Sequence, residues 1–392
     1  MKKTCEAEVF VDQFSGRDIT RLTNYKGHSW VHYFTDNYWI DEDRFVIGSD
    51  RNGKSDLFTV DLKDRTVARL TDLNGSDRPE GLYCAARGTF VFWYGNELLE
   101  IDPDRDGDPL RLYRVADGFE HAGGFHAISP DGRTAYIAVR AAQSAGRQMQ
   151  YNKSPHYRES WRTPAESRIL AIDLSSGRED TLFRDVQRIE HVNASPADPD
   201  LLTFCHEGPW ADVVQRIWGL RVSTGEVWPI RPQSGDLAIG HEFFTHDGEW
   251  IGYHGRRLPE QTIHAFGFVR PDNSEMLEHD FPFHCTHFAS FGLDYALGDG
   301  TPANVQPWFA SRQKPYLMLF RRNGHTWDGP RVLAFHRATF NEQIQHPHAR
   351  FSNDGTRVVY SSDVGGYSNV YIVDVEPFDD LPTVEECNVE WQ

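Results

Sequence analysis

Short apolar stretches alternate with polar turns along the whole chain. The run Thr356-Arg-Val-Val-Tyr-Ser-Ser-Asp363 shows the pattern. Its β-branched and aromatic centre lies between polar residues, and the run reads as a strand bounded by turns. No segment of any length carries a competing helical period. The strands recur in units: a polar turn, an apolar strand, a small-polar patch, and a second strand ending in Asp. One unit runs from Asp41-Glu-Asp-Arg44 through Phe-Val-Ile-Gly-Ser-Asp-Arg-Asn-Gly to Asp-Leu-Phe-Thr-Val-Asp61. Others open at Ala86-Arg-Gly, Ser129-Pro-Asp-Gly, Ser195-Pro-Ala-Asp-Pro, Thr245-His-Asp-Gly, Phe291-Gly-Leu-Asp and Ser352-Asn-Asp-Gly. These are seven units spaced by roughly 45 to 65 residues, each long enough for about four short strands, which is the size of a propeller blade. The Asp-Gly pairs are hairpin turns, where glycine takes a positive φ at no steric cost. The expected fold is an all-β, seven-bladed β-propeller.

A ring of blades must close. Asp18-Ile-Thr-Arg-Leu-Thr23 and Thr66-Val-Ala-Arg-Leu-Thr71 have the look of one outer strand in successive blades, and nothing similar follows Val370-Tyr-Ile-Val-Asp-Val375. The amino-terminal segment is therefore expected to supply the missing outer strand of the last blade, covering an exposed edge. On that plan residues 1–392 are a single propeller domain, since repeat folds grow by adding units and not by enlarging one core. The stretch 143–167, with Arg147, Lys153, His156, Tyr157, Arg158 and Arg162, is too long for a blade loop. It reads either as a lid near the active-site mouth or as a surface loop that never meets substrate.

Forty basic against fifty-eight acidic side chains give a formal charge of −18. That balance argues against nucleic acid and against an anionic membrane surface as partners. Met1-Lys-Lys-Thr-Cys-Glu-Ala-Glu8 meets charge where a secretory signal needs an apolar stretch, and no later segment is apolar enough to span a bilayer. A cytoplasmic protein is expected. Five scattered cysteines, Cys5, Cys84, Cys205, Cys285 and Cys387, fit free thiols in a reducing compartment. Oligomeric state is not legible.

Histidine changes the picture. There are eighteen, clustered in the second half. Gln343-Ile-Gln-His346-Pro-His348 places two imidazoles around one proline, and in an extended segment residues two apart share a side, so both rings can approach one ion with the Gln343 amide near them. Alone, such a tripeptide reads more readily as a solvated turn or a pair of core histidines. Three further clusters alter that: Cys205-His206-Glu207-Gly-Pro-Trp210, Gly240-His241-Glu242-Phe-Phe244 and His284-Cys-Thr-His287-Phe-Ala289. Each begins or ends a blade strand, and the inner strands of a propeller converge on its central channel. A glutamine, several histidines and the arginine of Gln215-Arg216-Ile-Trp218 together suggest a metal centre with a base and a cationic clamp.

At these residues the chain resembles the oligogalacturonate lyases, a polysaccharide lyase family of seven-bladed propellers. The likeness runs from Thr20-Arg-Leu-Thr and Tyr33-Phe-Thr to His346-Pro-His348 and Ser361-Ser-Asp363. It is most specific in the ordered series Phe204-Cys-His-Glu-Gly-Pro209, Arg216-Ile-Trp, His241-Glu-Phe, Cys285-Thr-His287, Leu297-Gly-Asp-Gly300 and Gln343-x-x-His346-Pro-His348. The resemblance implies Mn2+ on His287, Gln343, His346 and His348, with His241 as catalytic base and Arg216 beside the substrate. His206, Trp210, Lys153 and Arg337 are candidate substrate contacts. Two departures bear on specificity. Trp210 stands where the family pattern has histidine, and Thr286-His-Phe-Ala replaces a Ser-His-Leu-Met type of sequence.

The chemistry can be argued independently. Cleaving a 4-linked uronate by β-elimination removes the proton beside the carboxylate, which is weakly acidic until that carboxylate is neutralised. A divalent ion and an arginine can do this, and a neutral imidazole suits the base because its ordinary pKa is about 6.5. Ligand type alone leaves zinc, iron or nickel open beside manganese. The expected activity is cleavage of short α-1,4-linked galacturonate oligomers, an anionic oligosaccharide, to 4-deoxy-5-keto-uronate and shorter products. A lyase for a different uronate linkage and a non-catalytic propeller interaction module are the alternatives. A peptidase propeller is disfavoured, because no Gly-x-Ser-x-Gly elbow with a following hydrolase domain is present.

Overall fold

The computed structural model describes residues 3–75, 77–142, 166–209, 213–302 and 314–387. The chain is an all-β, seven-bladed β-propeller: among the described residues thirty strands form seven antiparallel sheets, five of four strands and two of five. Each of the seven turns expected to open a repeat joins the end strand of one sheet to the strand beside it. Ser129-Pro-Asp-Gly132, for instance, connects Phe119–Ile128 to Thr134–Ala141, and Thr245-His-Asp-Gly248 connects Leu237–Phe244 to Ile251–Arg257. Gly132, Gly248 and Gly355 of the Asp-Gly pairs have φ of 72°, 71° and 72°, the left-handed region that glycine enters freely.

The backbone divides into two compact units. Unit 1 is Met1–Gly95, Glu100–Leu110 and His279–Gln392, and unit 2 is Asn96–Leu99 and Arg111–Glu278. Closure occurs within unit 1. The strand Asp18–Arg21 pairs with Asn369–Asp374, Ile19 opposite Val373 and Arg21 opposite Tyr371, and Glu8–Val11 adds a further strand outside it. The segment also does more than expected, because Lys3–Cys5 pairs with Thr66–Arg69 of another sheet. The two matching sequences play matching parts. Thr71 Oγ1 accepts from the Leu57 amide at 2.9 Å, and Thr23 Oγ1 accepts from the Val370 amide at 3.0 Å.

Cores form where sheets face each other. In unit 1, Ile19, Leu297, Leu319, Leu333, Phe351 and Tyr360 belong to one buried cluster. In unit 2, Ile217, Ile239, Ile251 and Tyr253 belong to another. The inward positions of the alternating pattern fill both, at roughly 1.5 to 3 kcal/mol per large apolar side chain buried. Residues 143–165 of the expected insertion lie outside the described residues, but their flanks are fixed: Arg140 pairs with Ser167, and the Ala141 amide donates to the Glu166 carbonyl at 2.8 Å. All five cysteines are free thiols. No helix among the described residues is long and apolar enough to cross a membrane.

Candidate active site and metal centre

Within unit 1, His287 immediately precedes the first strand of its sheet, Phe288–Phe291, and His348 stands two residues before the first strand of the next, Arg350–Phe351. These two strands lie side by side. One ligand atom from each of His287, His346 and His348 lies within 4.8 Å of the others. The ring of His287 is 5.3 Å from that of His346 and 4.6 Å from that of His348, centroid to centroid.

The segment is not uniformly extended, as the spacing argument assumed. Gln343–Gln345 is a 3-10 turn in which the Glu342 amide donates to the Gln345 side chain at 3.0 Å. Gln343 is therefore tied to His346 through the turn, its carbonyl accepting from the His346 amide at 3.1 Å. The chain extends at His346 and then takes φ of 42° at His348, a left-handed conformation uncommon for a branched side chain. Such strain persists only where the surroundings enforce it, and here it lies at a site histidine.

Burial keeps these imidazoles neutral. Desolvation, helped by the charges of His287 and Arg78, pushes His346 down to about 3. The same causes, desolvation first, hold His348 well below the usual histidine range. His346 Nδ1 and His348 Nε2 are buried without a hydrogen-bond partner among the described residues. Buried polar nitrogens of this kind are usually satisfied, so neutral, unpaired donors meeting within one sphere fit a divalent ion.

Sequence reasoning missed the group that fixes the third ring. Asp299, only 1% exposed, lies 2.6 Å from His287 Nδ1 through Oδ2, and its Oδ1 accepts from the His287 amide at 2.7 Å. The hairpin that sets Phe288 opposite Gly298 brings it there. A carboxylate behind a ligating histidine fixes the tautomer and the orientation of the ring. The signal was present in Leu297-Gly-Asp-Gly300, whose Gly300 has φ of 63° and leaves no room for a Cβ, the Lys314 carbonyl lying 2.0 Å from where it would be. Asp299→Asn is expected to weaken metal affinity about 10- to 100-fold, as outer partners of metal-binding histidines do. Calorimetric titration of the metal-free variant checks this, and unchanged affinity would reduce Asp299 to a hairpin residue.

Within unit 2, His241 lies at an irregularity of the strand Leu237–Phe244, where the register shifts between Gly240 and Phe243, and its φ is 58°. Glu242, the next residue in the chain, is not its partner. Successive strand residues point to opposite faces, and Glu242 is fully buried, 3.5 Å from Arg216 Nε. The partner of His241 is another ring: its Nδ1 is 2.9 Å from His254 Nε2.

Arg216 also departs from expectation. It is 1% exposed, and its Nη2 is 2.7 Å from Glu207. Burial acts to raise Glu207, but the charges of Arg216 and His191 outweigh it and hold that carboxylate below its ordinary value. Burial pushes Glu242 up. The guanidinium is thus neutralised within the protein in place of lying open as a clamp, although Nη1 has no hydrogen-bond partner among the described residues. Its depth follows from Arg216 immediately preceding the fully buried start of the strand Ile217–Arg221. A second group, His191, Cys205 and Glu207, also meets within 4.8 Å. It reads as part of this ion-pair network, since Arg216 occupies Glu207 and burial raises the Cys205 thiol well above its ordinary value, keeping it protonated.

Two of the four candidate substrate contacts fall among the described residues. His206 is buried, with Nε2 3.2 Å from Asp185 Oδ2 and its ring 5.1 Å from Trp218. Arg337 is exposed in unit 1, stacked over Phe335 at 4.6 Å. Trp210 and Lys153 lie outside the described residues. Arg78, which the sequence reading passed over, pairs with Glu80 at 3.0 Å with its side chain 39% exposed, and its charge reaches both His346 and His348.

The fold and the histidine cluster define a class, a seven-bladed propeller with a candidate metal site at the start of its inner strands. Within it the chain belongs to the oligogalacturonate lyase family, whose sequence model matches residues 2–378. The chain is 24% identical over 379 residues to an oligogalacturonide lyase of Pectobacterium atrosepticum, covering 93% of this chain and 95% of that one. It is 22% identical over 378 residues to an oligogalacturonate lyase of Dickeya dadantii, with the same coverages. Among solved structures, an oligogalacturonate lyase in complex with manganese superposes with a TM-score of 0.84 at 20% identity, over 96% of this chain and 98% of that one. The oligogalacturonate lyase of Vibrio parahaemolyticus gives 0.85 at 22% identity, over 96% and 99%. The relatives are carbon–oxygen lyases acting on polysaccharides, and this chain is an enzyme of that kind.

Proposed function

We propose that the chain cleaves short α-1,4-linked galacturonate oligomers by metal-assisted β-elimination, giving 4-deoxy-5-keto-uronate and shorter products. The observation that carries this reading is the cluster of His287, His346 and His348, with Asp299 fixing one ring and burial keeping two others neutral. These three residues and Gln343 would hold the ion, and manganese is favoured because a similar structure contains it. Bound there, a divalent cation supplies Lewis-acid charge that makes the proton beside a uronate carboxylate easier to remove. His241 is assigned the base, an imidazole whose Nδ1 lies 2.9 Å from His254 Nε2. Arg216, tied through Glu242 to the strand that carries His241, holds that strand in place beside the base. Arg78 is the accessible guanidinium beside the histidine cluster and suits a sugar carboxylate.

The charge of −18 favours short substrates, because a long polyanion is repelled by the surface beyond any local positive field. The test is a substrate panel followed through the ultraviolet absorbance of the new conjugated alkene. Digalacturonate and trigalacturonate should be cleaved much faster than polygalacturonate, and non-pectic uronate oligomers should give no alkene. Faster turnover of the polymer would contradict the length preference, and cleavage of another uronate alone would move the enzyme to a different linkage.

A further inference from the structure

The motif Ser361-Ser362-Asp363 has no part in the chemistry described so far, yet all three residues are buried. It ends the strand Arg357–Ser362, and each of its residues reaches the segment that carries His346 and His348. The Asp363 carboxylate accepts from both the amide and the hydroxyl of Thr339, at 2.8 and 2.6 Å. Ser362 Oγ donates to the His336 carbonyl. The Ser361 amide donates to the carbonyl of Pro347, the residue next to His346 and His348, at 2.9 Å. An aspartate at the end of a strand ordinarily bonds the backbone of its own turn. Both oxygens of Asp363 instead reach a residue 24 positions back.

That segment needs outside support. Residues 336–349 run between the strands Thr326–Phe335 and Arg350–Phe351 and form no strand of their own among the described residues. Three of the nine non-glycine residues with positive φ among the described residues fall here: Arg337 at 53°, Phe340 at 56° and His348 at 42°. For a bulky aromatic residue the left-handed region is a true outlier, and it persists only where the surroundings over-determine it. Thr339, held at two points by Asp363, immediately precedes Phe340. The Phe340 ring stacks on His346 at 4.8 Å and 25°, and lies 5.7 Å from the ring of His336. His336 is itself fixed, its Nδ1 accepting from the Ala338 amide at 2.9 Å.

We propose that Ser362 and Asp363 form a staple that preorganises the divalent-ion site, holding Thr339 and the strained Phe340 so that the His346 ring stays where it meets His287 and His348. The inference deepens the reading of the histidine cluster as a metal centre and rests on it. An ion binds most tightly to ligands already in place, because the ordering of a loose ring is subtracted from its affinity. Asp299 orders His287 through a hydrogen bond. His346 Nδ1 has no such partner among the described residues, so packing takes over that task, and the flat face of Phe340 supplies it. Phe340 can serve only while its backbone is held left-handed, which is what the grip on Thr339 enforces. Asp363 and Phe340 are therefore positioning residues, acting on the ion through His346.

The test is calorimetric titration of the metal-free protein with Mn2+, beside thermal unfolding of the same metal-free samples. Asp363→Ala and Phe340→Leu should each weaken Mn2+ affinity about 10- to 100-fold, the scale for outer partners of metal-binding histidines. Asp363→Asn should recover most of the loss, since its amide oxygen can accept from the Thr339 amide while its Nδ2 donates to the hydroxyl. The double variant should lose no more than the weaker-binding single, because both changes act through one ring. A motif that merely stabilises the fold would lower the unfolding temperature and leave the affinity of the folded variants unchanged. That result, or losses that multiply in the double variant, would overturn the inference. Phe340→Leu alters a half-buried side chain and decides even if Asp363→Ala fails to fold. No uptake of Mn2+ by the unsubstituted protein would overturn the metal reading and this inference together, whereas unchanged affinity in the variants overturns this inference alone.

Discussion

His346→Ala is expected to lose both the bound ion and turnover while the protein stays folded. The ring is one of three whose nitrogens meet within 4.8 Å, and burial holds it neutral with no hydrogen-bond partner for Nδ1 among the described residues. Truncating it leaves two imidazoles, too few to replace the hydration of a divalent ion well. The fold should survive because the sheets are held by their own ladders, and closure comes from Asp18–Arg21 pairing with Asn369–Asp374. Removal of a side chain packed at 4.8 Å against Phe340 should cost no more than a few kcal/mol locally. Elemental analysis beside circular dichroism checks both halves. Full metal content in the variant would show that the cluster is not the site.

His241→Ala should lower turnover about 100- to 10,000-fold, the range for loss of a general base, yet keep the ion. The residue is not among the three that converge in unit 1, and its own hydrogen bond runs to His254. The two variants therefore separate along two axes, metal and chemistry, in a way that a generally damaged protein would not imitate. Metal content and steady-state kinetics on one preparation of each variant are the measurements. A His241→Ala enzyme that turns over normally would place the base on another histidine.

The fold was legible because its signals are local. Asp-Gly turns, two-residue alternation and the paired Arg-Leu-Thr phrases each act within a few residues, and each repeats. The histidine cluster was half legible. His346 and His348 are neighbours in sequence, whereas His287 joins them through adjacent strands and entered through family resemblance. The supporting residues were harder to see. Asp299 faces His287 across a hairpin, and His254 meets His241 across a strand pair, so sequence spacing brings neither to its partner, and only the motif Leu297-Gly-Asp-Gly300 hinted at Asp299. Arg216 and Glu242 mislead a sequence reader for a related reason. A charged residue beside a catalytic histidine suggests a partner, but in a strand the next residue points away, and these two bury each other.

The most direct measurement is alkene absorbance from digalacturonate, taken on one sample as isolated, after chelation, and after manganese is restored. Metal-assisted β-elimination predicts a steady rise, then none, then recovery, with the circular dichroism spectrum unchanged throughout. An undiminished rise in the presence of chelator, with no metal detectable in the protein, would contradict the account.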